Sequence, residues 1–404
     1  MGDILFLAHR IPFPPDRGDK IRAFNVLKYL SSRKRVHLIA FADDSRDLKH
    51  KNALAKLTGN RSIFWRSKSN WVAALQSLMS RKPASLTAFQ HAGVQEAVDN
   101  LLARHAIDTI YVFSSQMAQY LPDSRRQRVV MDFCDVDSAK FAQYGKSTGG
   151  PRGWMMRREG KLLLAHDRSV AARVDASLFI SPAEAAVFER LTGAERIHVI
   201  ENGIDTALFD PAAPFKRIET TGQLIVFTGQ MDYRPNIEAV TWFVDTILPH
   251  IRVRHPSVRF AVVGRNPTPE IQKLTEAPGV IVTGEVADVR GWLAAAAVVV
   301  APLKLARGVQ NKVLEAMAMA RPVVASAAAA EGIDHAGTIR VGSDVTDLSE
   351  AVIALLDAPG EGAKLGAAAR ARVIERYGWD ACLAPLDSIM GLPVRVSAPA
   401  QSAA

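Results

Sequence analysis

The stretch APLKLARGVQNKVLEAMAMARPVVAS, residues 301–326, decides the reading of this chain. An apolar run, Val298 to Ala301, stops at Pro302. A loop carrying Gly308 follows. Apolar residues then recur at helical spacing from Gln310 to about Ala320, and Pro322 opens another apolar run. Strand, loop, helix and strand in this order build parallel sheets covered by helices, whose ligands sit beyond the carboxyl ends of the strands. A helix start offers free N–H groups and a partial positive charge, which suits a diphosphate. Gly308 lets the backbone come close, with Val309, Gln310 and Asn311 beside it. Lys312 adds a full positive charge for phosphate oxygens. Glu315 lies three residues on, shares its helix face, and can accept hydrogen bonds from ribose hydroxyls. The same spacing also describes an ordinary amphipathic helix with an exposed Lys312–Glu315 pair.

The alternation extends in both directions. Upstream, short apolar runs at Ile4–Ala8, Val36–Phe41, Ile110–Phe113, Val129–Phe133, Ala176–Ile180 and Ile197–Ile200 are separated by helical stretches such as Lys20–Leu30. A Pro-, Ala- and Thr-rich linker, Pro211–Gly222, precedes a second series: Leu224–Thr228, Arg259–Val263, Val280–Thr283, Val298–Ala301 and Pro322–Ala325. This predicts an α/β chain of two facing Rossmann-like domains with parallel sheets. The expected boundaries are 1–205 for the first domain and 206–370 for the second. Residues 371–390 form a helix crossing back to the first domain, and 391–404 a disordered tail.

Composition narrows the function class. The 404 residues exceed what one core usually holds, and 48% are hydrophobic. Two cysteines, Cys134 and Cys382, give neither metal spacing nor a disulfide framework, which fits a reducing cytoplasm. His9, His166, His198 and His335 show no ligand spacing, so no metal and no cofactor are expected. No secretory signal and no transmembrane run is read. The net charge of +9 suits an anionic partner. It is spread along the chain without a nucleic-acid motif, so an anionic membrane surface is the better expectation.

The segment from Gly308 to Ser326 resembles the donor-site signature of family 4 glycosyltransferases, which have the GT-B fold. That family brackets this loop with two glutamates. Glu315 matches the second, and Arg307 stands at the first. Further resemblance lies in Gly229–Asn236, in Val263-Gly264-Arg265-Asn266-Pro267, in Ile200–Asp205 and in Arg372–Trp379. The opening PFPPDRGDKIRAF, residues 12–24, is similar to bacterial sugar transferases of PEP-CTERM exopolysaccharide loci. The resemblance implies a nucleotide-sugar donor, UDP- or GDP-linked, and a saccharide or lipid-linked saccharide acceptor. It also implies retention of configuration without a metal. Donor contacts would come from Gly18, Gly229, Arg234, Gly264, Arg265 and Gly308 to Lys312 with Glu315, and chemistry from Lys312 and Glu315.

Other groups carry two readings each. Gly18, in a loop with Arg17, Asp19, Lys20 and Arg22, either approaches the diphosphate or belongs to a solvated loop capped by Asp19. Asp135 and Asp137, following Asp132, either orient an acceptor hydroxyl or cap a helix. Arg234 and Arg265 reach phosphate or face solvent. Phe64–Lys68, Trp71–Lys82 and Trp154–Arg158 combine aromatic, basic and apolar residues. They read as an interfacial membrane patch or as buried helices with basic outer faces. A nucleotide-sugar-binding partner without catalysis, suggested by Arg307, and a nucleotide-sugar epimerase are the rival functions. A dinucleotide oxidoreductase is disfavoured because no Gly-x-Gly-x-x-Gly follows the first strand.

Overall fold

The computed structural model describes residues 2–15, 17–44, 47, 52–306 and 309–392. The chain divides into two compact units. One holds residues through Asn202 together with those from Leu383 onward, and the other holds Gly203–Cys382.

The first unit is built on seven parallel strands: β1 (Asp3–Ala8), β2 (Val36–Ala42), β3 (Arg61–Trp65), β4 (Ile107–Phe113), β5 (Arg128–Cys134), β6 (Ala176–Phe179) and β7 (Ile197–Val199). They lie in the order β3-β2-β1-β4-β5-β6-β7. Helices cover both faces, so central strands read as unbroken apolar runs rather than alternating ones. Leu5, Leu7, Ile39, Ile110, Val112 and Val129 are fully buried, each contributing about 1.5–3 kcal/mol against the entropy of ordering the chain.

The second unit repeats the plan with six parallel strands: β8 (Leu224–Thr228), β9 (Arg259–Val263), β10 (Val280–Gly284), β11 (Val298–Ala301), β12 (Val323–Ser326) and β13 (Arg340–Gly342). Their order is β10-β9-β8-β11-β12-β13.

Two edge strands escaped the sequence reading. β3 contains Phe64 and Trp65, which the sequence grouped with an amphipathic segment. β13 starts on the exposed Arg340 and spans only three residues. Edge strands are half-buried and short, so their apolar signal is weak. The helix Gly18–Ser31 corrects another point. Arg17, not Asp19, holds its N-cap position, and Asp19 sits in the first turn, paired with Arg10 at 2.7 Å and Arg17 at 3.0 Å.

The chain returns to the first unit at its end. The helix Pro385–Met390 belongs there: Asp387 accepts from Arg33 Nε at 2.6 Å, and the Ile389 carbonyl accepts from Arg128 at 2.7 Å. The longer helix Pro359–Tyr377 stays with the second unit, where the Tyr377 hydroxyl accepts the Asp334 N–H at 2.6 Å.

Candidate functional site

In the second sheet β9 and β10 extend to one side of β8, and β11 returns to its other side. That reversal opens a crevice at the carboxyl ends of the strands. A cleft of about 440 Å³ lies there. Thr228 and Gly229 come from the end of β8, and Val263, Gly264 and Arg265 from the end of β9. Glu285 and Val286 follow β10. Gln310, Asn311, Lys312 and Glu315 come from the start of the helix Asn311–Ala318.

The two glycines allow two loops to touch. A Cβ built on Gly264, whose φ is 157°, would fall 1.6 Å from the Gly229 carbonyl oxygen. One on Gly229 would meet Asn236 Nδ2 at 2.8 Å and Lys312 Nζ at 3.1 Å. The loops are pinned by the Gly229 N–H donating to Val263 O at 3.0 Å and the Gly264 N–H donating to Gly284 O at 3.2 Å.

Helical periodicity then aims the charges. Val313, Leu314, Ala316, Met317 and Ala318 bury one face of the helix, which turns Lys312 and Glu315 into the cleft rather than into an exposed pair. The Lys312 ammonium donates to Asn236 Oδ1 and lies 4.2 Å from the centre of the Phe227 ring. Asn236 is itself fixed by donating to the Gln230 carbonyl at 2.8 Å. Burial pushes the Lys312 ammonium down to about 8, with Glu315 only partly opposing. Burial likewise pushes Glu315 up to about 7 against the pull of Lys312. Both charges therefore lack full compensation. Thr228 Oγ1, at the mouth of β8, is buried with no partner among the described residues. A cationic side chain short of counter-charge, an orphan hydroxyl and a helix start converge on one cleft. Together they suit a phosphate-bearing ligand.

The structure thus gathers Gly229, Gly264, Arg265, Gln310, Asn311, Lys312 and Glu315. Arg265 donates to Gln230 Oε1 at 3.2 Å. Val309 packs on the core of the second unit. Arg234 does not line the cleft: its side chain is 87% exposed and pairs with Glu238 at 2.7 Å. Gly308 and Arg307 lie outside the described residues. Gly18 opens its helix in the first unit with nothing within 4 Å of a built Cβ, so no close approach demands a glycine there. Asp135 and Asp137, also in the first unit, share Lys140 Nζ at 2.8 and 3.4 Å.

Sequence reasoning missed several groups. Asn236 lay inside a quoted loop, but only the fold shows that its side chain seats Lys312. Thr228 was hidden in an apolar run. In the first unit, Asp132 is fully buried and takes Arg22 Nε at 2.8 Å and the Tyr111 hydroxyl at 2.6 Å, which makes this carboxylate structural. His9, at the end of β1, stacks on Phe113 and lies 3.3 Å from Asp19, with burial lowering its pKa against the pull of Asp19. Ser114 and Cys134, ending β4 and β5, have φ of 78° and 65°, strained values for side-chain-bearing residues. At the amino ends of the strands of this sheet Asp3, His37 and His105 meet. His37 Nε2 faces Asp3 at 2.9 Å while its Nδ1 accepts the Asn60 N–H at 3.3 Å, so hydrogen bonding accounts for the cluster.

Residues 222–358 match the family described as Glycosyl transferases group 1. That match falls wholly within the second unit. Every residue lining the cleft lies within the matched stretch. The chain is 28% identical over 254 residues to a GDP-mannose-dependent monoacylated alpha-(1-6)-phosphatidylinositol monomannoside mannosyltransferase of Corynebacterium glutamicum. The match covers 56% of this chain and 64% of that relative's length. Among solved structures, HepE of Anabaena in complex with UDP and glucose superposes with a TM-score of 0.59 at 16% identity, covering 97% of this chain and all of that one. Sucrose-phosphate synthase of Thermosynechococcus elongatus gives 0.59 at 17% identity, covering 96% and 98%. A glycosyltransferase of Rickettsia africae gives 0.61 at 13%, again covering 96% and 98%. At such identities the likeness is one of fold. The matched stretch lies in the second of two parallel-sheet units, and the chain has the GT-B fold.

Proposed function

We propose that this chain is a retaining, metal-independent glycosyltransferase. It moves a sugar from a UDP- or GDP-sugar to a saccharide or lipid-linked saccharide acceptor. Its setting is exopolysaccharide assembly, as a peripheral protein at the inner face of the cytoplasmic membrane. The observation that carries the donor assignment is the Lys312–Glu315 pair, partly buried, under-compensated and facing a cleft at the switch point of the second sheet. The UDP and glucose bound by HepE and the GDP-mannose used by the mannosyltransferase support a nucleotide-sugar donor and leave both nucleotides in play. Retention, metal independence and the exopolysaccharide setting rest on the sequence resemblance.

In this reading the bond between the anomeric carbon and the diphosphate oxygen breaks, and one to the acceptor oxygen forms. The acceptor proton leaves with the departing nucleotide. Lys312 and the N-terminus of its helix neutralise the charge growing on the diphosphate, and Glu315 holds the ribose. Arg265 and the backbone of Gly229, Gly264 and Gly308 to Asn311 border the donor. Asp135 or Asp137, freed from Lys140, would orient the acceptor hydroxyl.

The test is incubation with a panel of nucleotide sugars and lipid-linked acceptors. Transfer that vanishes in Lys312→Ala and Glu315→Ala supports the proposal. Tight nucleotide-sugar binding without transfer over a broad acceptor set favours the binding-partner reading, to which Arg307 in place of the first glutamate points.

A further inference from the structure

The helix Asn70–Ser80 in the first unit is inverted relative to an ordinary surface helix. Its small residues Ala73 and Ser77 face inward. Its large apolar ones, Trp71, Leu75 and Met79, stand on the opposite face at positions i, i+4 and i+8. They are 86%, 60% and 80% exposed. The reading of this segment as a buried helix with a basic outer face therefore fails. Beside it runs a groove of about 390 Å³, walled by Leu78, Ala88, Phe141, Trp154, Met155 and Met156. Of its three ionic wall residues, Arg152 is exposed, and Arg158 and Glu159 are spent on the protein. Arg158 donates to Ser77 Oγ at 2.8 Å and to Ser77 O at 2.7 Å. Glu159 accepts the N–H groups of Ala84 and Ser85 at 2.7 and 2.9 Å. Apart from Arg152, the side chains left facing the groove are mostly hydrocarbon and sulfur.

The charge around this apolar floor is one-sided. Arg81, Lys82, Lys146, Arg152 and Lys161 are exposed, and in the stretches 68–88 and 146–161 the only acidic residue is the already satisfied Glu159. Exposed apolar patches of this kind mark interaction sites. Aromatic and aliphatic side chains ringed by cations are what an anionic bilayer surface recognises.

We propose that this face docks on an anionic phospholipid bilayer and that the groove seats one acyl chain of a lipid in it. Trp71 and Trp154 sit at the depth of the headgroups, Leu75 and Met79 enter the apolar layer, and the cations contact phosphates. This gives the membrane association proposed above a defined chain-binding site, and it stands without the sugar-transfer reading, because no donor or acceptor enters its test.

The test uses the full chain with vesicles of phosphatidylcholine alone, or mixed with phosphatidylglycerol carrying ordinary or chain-brominated acyl groups. Cosedimentation with the phosphatidylglycerol vesicles is expected, weakening about fivefold for each cation neutralised at Lys82 or Arg152. Chain bromines should quench tryptophan fluorescence, and the quenching should disappear in the Trp71→Phe/Trp154→Phe double variant. Ala74→Phe, which narrows the groove, should weaken binding by about tenfold or more with an unchanged melting temperature. Val253→Glu, on an exposed apolar residue of the other unit, should change nothing. Three results would overturn the proposal. One is equal binding to neutral and anionic vesicles. Another is salt-reversible adsorption with no quenching from chain bromines. The third is self-association of the chain that Leu75→Glu abolishes while vesicle binding is unaffected.

Discussion

The Cα of Gly264 lies so close to the carbonyl oxygen of Gly229 that no side chain fits between them; a Cβ at 264 would come within 1.6 Å of that oxygen. The obstacle is backbone, which cannot swing aside as a side chain can. Gly264→Ala should therefore push the β8 and β9 loops apart, costing about 3 kcal/mol. It should also lower UDP affinity more than it lowers the melting temperature of the first unit. Gly229→Ala meets the flexible end of Lys312 as well as Asn236, so it should cost less stability but shift Lys312. Calorimetric titration of each variant with UDP and GDP, beside thermal melts, checks both.

Lys312 should take up a proton when nucleotide diphosphate binds. Burial holds its ammonium down at about 8, and an adjacent diphosphate would restore the charged form. At pH 8 to 9 the binding enthalpy should vary with buffer ionisation enthalpy, and affinity should fall as pH rises through that window. Lys312→Met should lose the buffer dependence together with at least about tenfold in affinity, the loss of one charge-assisted contact.

Glu315 has its folded pKa raised, from 4.5 to about 7. A raised pKa means that its contribution to stability is fully present below pH 4.5 and is lost as pH rises through 7. Glu315→Gln should remove this component. The difference in unfolding free energy, variant minus wild type, should rise by on the order of 2 kcal/mol from pH 4 to pH 8. Denaturant melts of the ligand-free protein across that range test it, and a flat difference would disprove the assignment.

Arg22 and Asp132 form a buried ion pair whose carboxylate is fully enclosed. Removing one partner strands the other. Arg22→Met alone should destabilise the first unit by about 3–5 kcal/mol, while Arg22→Met with Asp132→Leu should recover much of that loss. The melting transition of the first unit, followed by circular dichroism, reports the difference.

Apolar runs announced most of the strands because a covered parallel sheet buries both faces of each one. Leu224–Thr228 is visible for that reason. β3 and β13 were not, since edge position leaves them half-wet. In the candidate site, Lys312 and Glu315 were legible because a single helix fixes their spacing. The seat that Asn236 provides for Lys312 was not, because 76 residues separate the two. Nor was the Arg22–Asp132 pair, 110 residues apart. Backbone strain at Ser114 and Cys134 leaves no trace in residue type, since neither is glycine. The exposed face of Asn70–Ser80 has the periodicity of any amphipathic helix, and periodicity does not say whether that face meets protein or solvent.

The return of residues from Leu383 onward to the first unit fixes an order of events during synthesis. The helix that receives Arg33 and Arg128 emerges from the ribosome only after the whole second unit has been translated. The second unit can complete itself from a contiguous stretch of nascent chain. The unit begun first is thus finished last, and until then the Arg33 guanidinium waits for Asp387.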